Sequence, residues 1–208
     1  MKKILLAICL LLTTFAFAQN DKKATNLIDA VSNKLQSMQP IVVDFTCKIS
    51  SPSSTEGKSY SGTLYSMENM YKLSMSDQVI YCNGDNIWTY FEDVNEVEIS
   101  EFDDSSQSLM PFDIIKNYKN DYKARFISEQ GNTATVELYP TKKNSFFIKV
   151  NLVVDVPKKL VKTITLSDRD GNKFVYMVKS IKTDNKLNKK HFTFQPSDYP
   201  GVEVIDMR

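Results

Sequence analysis

Short segments in which apolar and polar residues alternate with a period of two dominate the chain from Ile41 to Val178. Alternation of this kind predicts β-strands with one buried face and one wet face. The apolar members of these segments are Phe45, Cys47 and Ile49; Tyr71, Leu73 and Met75; Val97 and Ile99; Ala134, Val136 and Leu138; Phe146, Ile148, Val150 and Leu152; Ile164 and Leu166; Phe174, Tyr176 and Val178. Turn-forming pairs separate them at Glu68-Asn69, Gly131-Asn132 and Asp170-Gly171. Many strands with short connections predict an antiparallel meander.

Residues 77–90 give the clearest local signal. They predict a strand, a tight turn at Asn83-Gly84-Asp85 and a second strand that carries Trp88, the only tryptophan. Asn-Gly between apolar runs is a strong hairpin signal, because both residues tolerate the positive φ that the turn needs. Similar hairpins, rather than a catalytic motif, surround it, and this organisation favours a binding function.

Two segments have helical periodicity instead. Apolar residues recur at helical spacing over residues 22–38, and Pro40 ends that segment. After the polar residues 102–110, Pro111 opens a second helical stretch with Phe112, Ile115 and Tyr118 on one side. A mainly β fold with two such helices predicts an open half-barrel covered by a helical lid.

The first 18 residues have the features of a signal peptide. Lys2 and Lys3 precede an apolar run, and Ala16-Phe17-Ala18 forms a small-x-small cleavage site. Ile8 before Cys9 argues against a lipoprotein site. We therefore expect cleavage after Ala18 and an exported, unanchored domain comprising residues 19–208.

Composition narrows the function further. Without Lys2 and Lys3 the chain has 24 basic and 25 acidic side chains, so the basic excess that would hold nucleic acid is missing. Two cysteines remain after cleavage, Cys47 and Cys82, both within strand patterns. A disulfide and two buried thiols are both compatible with the sequence.

Candidate catalytic and metal-binding groups are sparse. His191 is the only histidine, and there is no G-x-S-x-G elbow, phosphate-binding loop or Cys/His cluster. The acidic run from Glu92 to Asp104 lacks the pattern of a calcium loop and is interpreted as a solvated face or a partner surface. Lys186, Lys189 and Lys190 are interpreted as a charged loop, or alternatively as a docking patch for an anionic headgroup or an acidic partner.

The apolar residues are more suggestive. Met67, Met70 and Met75 lie beside Tyr65, Tyr71 and Leu73. Such a stripe is commonly core, but methionine also suits a surface that repacks around variable apolar shapes.

Six segments in order resemble the periplasmic outer-membrane lipoprotein carrier (LolA) family. After the first helix they are Val43-Asp44-Phe45-Thr46-Cys47-Lys48; Gly62-Thr63-Leu64-Tyr65; the hairpin Tyr81 to Tyr90; Pro111-Phe112-Asp113-Ile114-Ile115; Phe192-Thr193-Phe194-Gln195-Pro196; and Gly201-Val202-Glu203-Val204-Ile205-Asp206. The hairpin is similar to the family's S-D-G-x-x-L-W-x-Y signature, and the last two segments to its F-x-F-x-P and G-V-x-V-x-D ending.

The resemblance implies an incomplete antiparallel β-barrel whose helices close over an apolar cavity. It also implies a periplasmic, non-enzymatic carrier without a cofactor, acting as a monomer. Acylated lipoproteins would be its cargo, an ATP-driven inner-membrane exporter would load it, and an outer-membrane acceptor would receive the cargo.

The sequence departs from the family at two positions. The family commonly has an Arg-Pro pair after the G-x-L-aromatic strand, and its arginine helps to hold the lid closed. Here the turn is Met67-Glu68-Asn69-Met70, and Cys47 replaces the usual glutamine. The arginine latch cannot be transferred to this chain.

On this basis we predict that an acyl-chain cavity is lined by apolar residues of the strands and the lid. They are Phe45, Leu64, Tyr71, Leu73, Met75, Ile80, Trp88, Tyr90, Leu109, Phe112 and Ile115. Two alternatives remain open: a carrier or sensor for another lipid or amphiphile, and a non-enzymatic envelope assembly protein that holds a partner polypeptide.

Overall fold

Two α-helices lie against a large sheet in the computed structural model, which describes residues 21–102 and 111–208. Helix α1 covers residues 21–38, and helix α2 covers Pro111–Asp121. Both helices therefore form where the apolar spacing predicted them, and Pro111 occupies the start of α2, where its missing N–H costs no hydrogen bond.

The described residues form twelve strands and two short 3-10 turns. The strands are β1 (Ile41–Ser51), β2 (Ser54–Met67), β3 (Met70–Met75), β4 (Gln78–Cys82), β5 (Asn86–Phe91), β6 (Glu96–Glu101), β7 (Tyr122–Gln130), β8 (Thr133–Pro140), β9 (Phe147–Asp155), β10 (Leu160–Asp168), β11 (Lys173–Thr183) and β12 (Glu203–Asp206). The 3-10 turns are Lys189–Phe192 and Pro196–Asp198.

All twelve strands belong to one open sheet. Its order is β12-β6-β5-β4-β3-β2-β1-β11-β10-β9-β8-β7, so the meanders β1–β6 and β7–β11 meet where β1 pairs with β11. Every pair is antiparallel except β12 with β6, which is parallel and which the alternation pattern did not predict. No pairing between described residues joins β7 to β12, and the predicted incomplete barrel is confirmed.

The predicted hairpin at residues 77–90 is present as β4 and β5. The side-chain oxygen of Asn83 accepts hydrogen bonds from the backbone N–H groups of Asp85 and Asn86, both at 2.9 Å. Gly84 has φ of 95°, in the left-handed region that a side chain rarely adopts. Local turn chemistry thus sets the register of these two strands.

Helices α1 and α2 define the inner face of the sheet. Ile28, Val31 and Leu35 of α1 and Ile115 of α2 pack with the buried residues of β8, β9 and β10. The buried apolar residues of those strands in this core are Val136, Leu138, Phe147, Val150, Leu152, Val154, Val161, Ile164 and Leu166. This half of the inner face is the main core.

The predicted alternation is wrong at the start of β9. Phe147 is buried, whereas Phe146 and Ile148 are 52% and 47% exposed. The register between β9 and β10 shifts between Ser167 and Asp168, which pairs with Phe147. This irregularity changes which side chain faces the core, and simple period-two reasoning does not anticipate it.

The chain after β11 covers the outer face of β1–β6. Phe192 is fully buried against Met70 and Leu187, and Phe194 packs with Tyr81 and Tyr90. The hydroxyl groups of Tyr81 and Tyr199 are hydrogen-bonded at 2.7 Å. Strand β12 then extends the sheet beyond β6.

Candidate functional site

A second apolar region lies on the inner face, beside the main core. Its buried residues, which we call the inner cluster, are Ile41, Val43, Phe45, Cys47, Leu64 and Leu73. Cross-strand register explains the grouping, because Val43 pairs with Leu64, Leu64 with Leu73, and Leu73 with Ile80. Directly paired residues point to the same face, so the four side chains form one row across β1–β4.

Gly62 leaves room for an aromatic ring in this cluster. It lies between Phe45 and Met75 in the register, and a Cβ at Gly62 would come within 2.6 Å of the Phe45 ring. On its other side Phe45 contacts Tyr176, with 5.7 Å between ring centroids. A glycine on the neighbouring strand thus allows Phe45 to lie flat over the sheet.

The inner cluster consists of five aliphatic or aromatic side chains and the thiol of Cys47. Burial raises the pKa of the Cys47 thiol, and a hydrogen bond with Tyr176 offsets only part of that shift. Burial also raises the pKa of the Tyr71 and Tyr176 hydroxyls well above their ordinary value. These groups are therefore neutral at physiological pH, and the surface suits an apolar ligand.

A cavity of about 240 Å³ opens between the two helices beside this cluster. Its lining combines apolar and polar groups from α1, α2 and the adjoining strands: Ser32, Leu35, Gln36, Gln39, Ile41, Ser66, Glu68, Phe112, Asp113 and Lys116. Ile41 belongs both to the cavity wall and to the inner cluster. The cavity therefore adjoins the inner cluster, and we call it the entrance.

Helix α2 lies across this entrance. Phe112 packs against both the main core and the inner cluster. The ammonium group of Lys116 donates a 3.0 Å hydrogen bond to the backbone carbonyl of Glu68, in the turn between β2 and β3. Glu68 has φ of 57°, so the turn is tight and its carbonyl is held in place. Lys116 is thus a polar link between α2 and the sheet.

A second polar link joins α2 to α1. The Tyr118 hydroxyl donates to the Asp29 carboxylate at 2.7 Å, and Lys119 forms an ion pair with the same carboxylate at 2.9 Å. Burial alone would raise the pKa of Asp29, but the hydrogen bonds from Tyr118 and Lys119 lower it below its ordinary value. The two helices are therefore coupled through one ionised carboxylate.

The structure brings most of the predicted lining residues together. Phe45, Leu64 and Leu73 are members of the inner cluster, and Tyr71, Met75, Ile80 and Phe112 pack against it. Ile115 is also buried on the inner face but belongs to the main core. Of the predicted residues described here, Phe112 lines the 240 Å³ cavity itself.

Two predicted lining residues lie elsewhere. Trp88 pairs with Tyr81, and Tyr90 pairs with Val79, so both point to the outer face, away from Leu73 and Ile80. There they pack with Phe194 and Tyr199 of the C-terminal segment. Assigning them to the inner lining was therefore an error of strand parity, because Trp88 and Tyr90 share a face with their partners Tyr81 and Val79 and not with Ile80. Leu109 lies outside the described residues.

Comparison with protein families identifies the group to which this arrangement belongs. Residues 36–195 match the family described as outer membrane lipoprotein carrier protein LolA. The chain belongs to this family. The match covers both meanders and α2, and so includes the inner cluster and every lining residue of its entrance except Ser32 and Leu35.

Two similar lipoprotein carrier proteins support this family assignment, although their sequence identity to this chain is low. An outer-membrane lipoprotein carrier protein from Edwardsiella ictaluri is 22% identical over 212 aligned positions, covering 100% of this chain and 99% of that protein. One from Nitrosospira multiformis is 29% identical over 133 positions, covering 62% of each. A crystal structure of an uncharacterized conserved protein from Thermus thermophilus has a TM-score of 0.58 at 13% identity, covering 88% of this chain and 99% of that one, and shows likeness of fold.

Several inner-face residues of this LolA family member were not in the predicted lining. Ile41 and Val43 are buried in the inner cluster, and Phe174, Tyr176 and Val178 of β11 pack against it. Their alternation was visible in the sequence, and β1 was already included through Phe45. The omission of the β11 residues reflects the pairing of β1 with β11, which joins residues more than a hundred positions apart. Ile41 and Val43 lie on β1 at a spacing of two from Phe45, so the pattern of that strand could have included them.

The remaining candidates for chemistry have structural roles. His191 accepts a hydrogen bond at Nδ1 from the backbone of Asn188, in the capping box of the 3-10 turn. Among residues 21–102 and 111–208, no group of three or more His, Cys, Asp or Glu side chains is placed to hold a metal ion. None of the described helices is long and apolar enough to cross a bilayer.

Proposed function

We propose that the protein carries acylated lipoproteins by holding their acyl chains against the inner cluster. Family membership supports a carrier, and the uncharged inner cluster beneath α2 is the observation that favours an apolar cargo group. The proposed lining keeps the inner-face residues Phe45, Leu64, Tyr71, Leu73, Met75, Ile80, Phe112 and Ile115 and leaves out Trp88 and Tyr90.

The energy of an exposed acyl chain explains the need for such a surface. Each methylene group removed from water contributes about 0.8 kcal/mol, so a set of acyl chains contributes on the order of tens of kcal/mol. Diffusion of a bare acylated protein through water is then negligible. A carrier must shield the chains and still release them, and a partly open apolar surface meets both requirements.

Cargo entry must displace α2. The cavity of about 240 Å³ is smaller than the roughly 300–1,000 Å³ of typical ligand pockets. Phe112 packs against the inner cluster, so acyl chains would compete with the lid for the same apolar surface. The empty and loaded proteins would be two states whose balance the cargo shifts.

The entrance offers partners for the polar groups at the base of the acyl chains. The Gln39 side-chain oxygen is buried and accepts no hydrogen bond from any described group. It lines the cavity together with Ser32 and Ser66. An amide N–H of the acylated residue would satisfy this oxygen, while the hydroxyl groups suit ester carbonyls.

The cellular setting follows from the family and the N-terminal segment. We infer a cleaved signal peptide at residues 1–18, a single carrier domain at 19–208 and a periplasmic location. An inner-membrane ATP-driven exporter would load this non-enzymatic carrier, and an outer-membrane acceptor would unload it. Neither step requires covalent chemistry by the carrier.

A binding comparison tests this function. The purified protein is mixed with an acylated lipoprotein and with the same lipoprotein lacking its acyl chains, and complexes are quantified by size-exclusion chromatography. Selective, stoichiometric capture of the acylated form is expected.

Equal capture of both forms would contradict the proposal and favour an assembly protein that binds polypeptide. Failure to capture either form, together with recovery of a free lipid or another amphiphile, would favour the alternative carrier or sensor.

A further inference from the structure

Four lysines cluster where the chain leaves β11 and turns over the outer face. Lys182, Lys186, Lys189 and Lys190 are all exposed, and we call them the basic corner. No salt bridge joins any of them to a described acidic residue, whereas six other lysines of the described chain are ion-paired.

The basic corner is held rigidly rather than carried on a free loop. Phe192, two residues after Lys190, is fully buried against Met70 and Leu187. Asn188 caps the turn by accepting from the Lys190 backbone N–H at 3.1 Å. The lysines therefore keep a defined position relative to the sheet.

This position is the end of the sheet at which the cavity opens. The Asp184 backbone N–H donates to the Pro40 carbonyl at 2.9 Å, and the Thr183 hydroxyl donates to the Met38 carbonyl at 2.8 Å. Residues 39 and 41 on either side of Pro40 line the cavity. Lys116, on the cavity wall, adds a further positive charge at the same end.

Nearby acidic groups only partly compensate the charge. Asp184 lies within the corner, where its carboxylate accepts from the Lys186 backbone N–H. Glu68 is exposed in the adjacent turn, and Asp113 lies on the cavity wall with Lys116, so three carboxylates face five lysines. Asp44 bonds Ser180 and Thr63, and Lys182 and Lys179 help to lower its pKa after those two hydrogen bonds. The end of the sheet beside the entrance remains net positive.

We propose that the basic corner docks the protein on an anionic phospholipid surface, with the entrance of the cavity toward the bilayer. The charged groups are lysines, which bind lipid phosphates as point charges, and each contributes to attraction near an anionic membrane. No residue from Lys182 to Lys190 is an exposed large hydrophobic side chain, so the corner lacks the aromatic and arginine anchors typical of protein interfaces. Attachment is purely electrostatic, and a carrier attached in this way can detach again.

Docking itself is independent of the cargo, although its use in loading or unloading rests on the proposed function. The proposal therefore has its own test, with vesicles and without lipoprotein. The purified protein is sedimented with vesicles of phosphatidylcholine alone and with vesicles of mixed phosphatidylcholine and phosphatidylglycerol, at low and high salt. Binding is expected only to the mixed vesicles and is expected to weaken as salt rises.

Matched charge variants identify the surface. The variant with Lys182, Lys186, Lys189 and Lys190 all changed to glutamine should lose binding on the order of a hundred- to a thousand-fold. A control variant removes the same number of positive charges from exposed lysines outside the corner. Its substitutions are Lys58→Gln, Lys123→Gln, Lys143→Gln and Lys173→Gln. The control should keep wild-type binding, and both variants should keep wild-type unfolding transitions.

An environment-sensitive probe tests the orientation. Attached to Gln36→Cys on the wall of the entrance, it should be quenched by brominated lipid more than the same probe on Ser59→Cys, which lies toward the other end of β2. Gln36 and Ser59 are both exposed, whereas Cys47 and Cys82 are buried.

Several results would overturn the proposal. They are equal losses in the corner and control variants, equal binding to both vesicle types, stronger quenching at Ser59→Cys, or capture of an acidic polypeptide without vesicle binding. Loss of lipoprotein binding in vesicle-free solution by the corner variant would place the corner in the cargo site instead. Failure of the proposed function would appear separately, as absence of lipoprotein capture by the wild-type protein.

Discussion

Adjacent residues on β4 point to opposite faces of the sheet. Their substitutions can therefore distinguish a role in cargo binding from a role in packing alone. Ile80 points to the inner face and packs against the inner cluster. Val79 points to the outer face and packs with Tyr81 and Tyr90. Both side chains are partly buried, so their substitutions disturb the strand to a similar degree while affecting different faces.

The pair Ile80→Gln and Val79→Gln therefore tests which face holds the cargo. Ile80→Gln should weaken capture of acylated lipoprotein about tenfold or more, because it removes an apolar side chain worth roughly 1.5–3 kcal/mol on full burial. Val79→Gln should leave the affinity for acylated lipoprotein within a factor of about two of wild type. It should lower the free energy of unfolding by about as much as Ile80→Gln does. Titration with lipoprotein and urea unfolding measure the two effects, and equal loss of affinity in both variants would contradict the assignment.

At the scale of elements, the position of α2 decides whether the inner cluster is covered. Apolar packing through Phe112, Ile114, Ile115 and Tyr118 holds the helix on the inner face. Lys116 adds one link to the β2–β3 turn, and Asp29 adds another to α1. The β2–β3 turn, which lacks the family's Arg-Pro pair, thus contributes the Glu68 carbonyl as acceptor. The positive charge comes from Lys116 on α2.

Loss of the Lys116 link should make the lid open more often. Lys116→Met removes a hydrogen bond from a charged donor to the Glu68 carbonyl, and exposed bonds of this kind contribute on the order of 1 kcal/mol. The buried Cys47 thiol should then react about three- to tenfold faster with an alkylating reagent, quantified by mass spectrometry of its peptide.

Lys123→Met, an exposed change on β7, serves as the control and should leave the rate unchanged. An unaltered Cys47 rate in Lys116→Met would show that the Lys116 link does not hold the lid closed.

The Asp29 link should also make the helix pair sensitive to acid. The folded-state pKa of Asp29 is lowered, so its contribution is present above the unfolded-state pKa and is lost as pH falls through the folded value. Wild type should exceed Asp29→Asn in free energy of unfolding by about 1 kcal/mol near neutrality. That difference should shrink below about pH 4. Urea unfolding across pH measures it, and a difference independent of pH would contradict the assigned role.

At the scale of the whole molecule, the sheet separates groups that the sequence left as possible partners. Cys47 lies on β1 and Cys82 on β4, with β2 and β3 between them. Three interstrand spacings alone separate their backbones by about 14 Å, and the register adds to this because it places Cys82 level with Ile41 rather than with Cys47. A disulfide requires Cα atoms within about 7 Å, so the two buried thiols are free.

The two cysteines of residues 19–208 should therefore be free thiols. Alkylation after denaturation without reductant should label both Cys47 and Cys82, and reducing agent should not change the midpoint of thermal unfolding. A mass loss of two hydrogens with no labelling would contradict the sheet order.

The fold class and most of the elements could be predicted from the sequence alone. Helical spacing over residues 22–38, Pro111 at a helix start and the Asn83-Gly84 turn are local signals, because backbone geometry and burial of one face act within a few residues. The inner-face residues of β1–β4 could be predicted for the same reason. These strands are joined by short hairpins, so the face that is apolar on one strand indicates the matching face on the next.

Only the tertiary structure decided which apolar face is inner and what covers the other. Trp88 and Tyr90 have the same local pattern as Leu73 and Ile80, but the C-terminal segment from Phe192 to Tyr199 packs on the outer face and makes that side apolar as well. The pairing of β1 with β11, the parallel β12 and the irregularity beside Phe147 likewise depend on contacts between distant parts of the chain. Alternation shows that one side of a strand is buried. Whether that side is the inner or the outer face of the sheet depends on which distant segment packs against it.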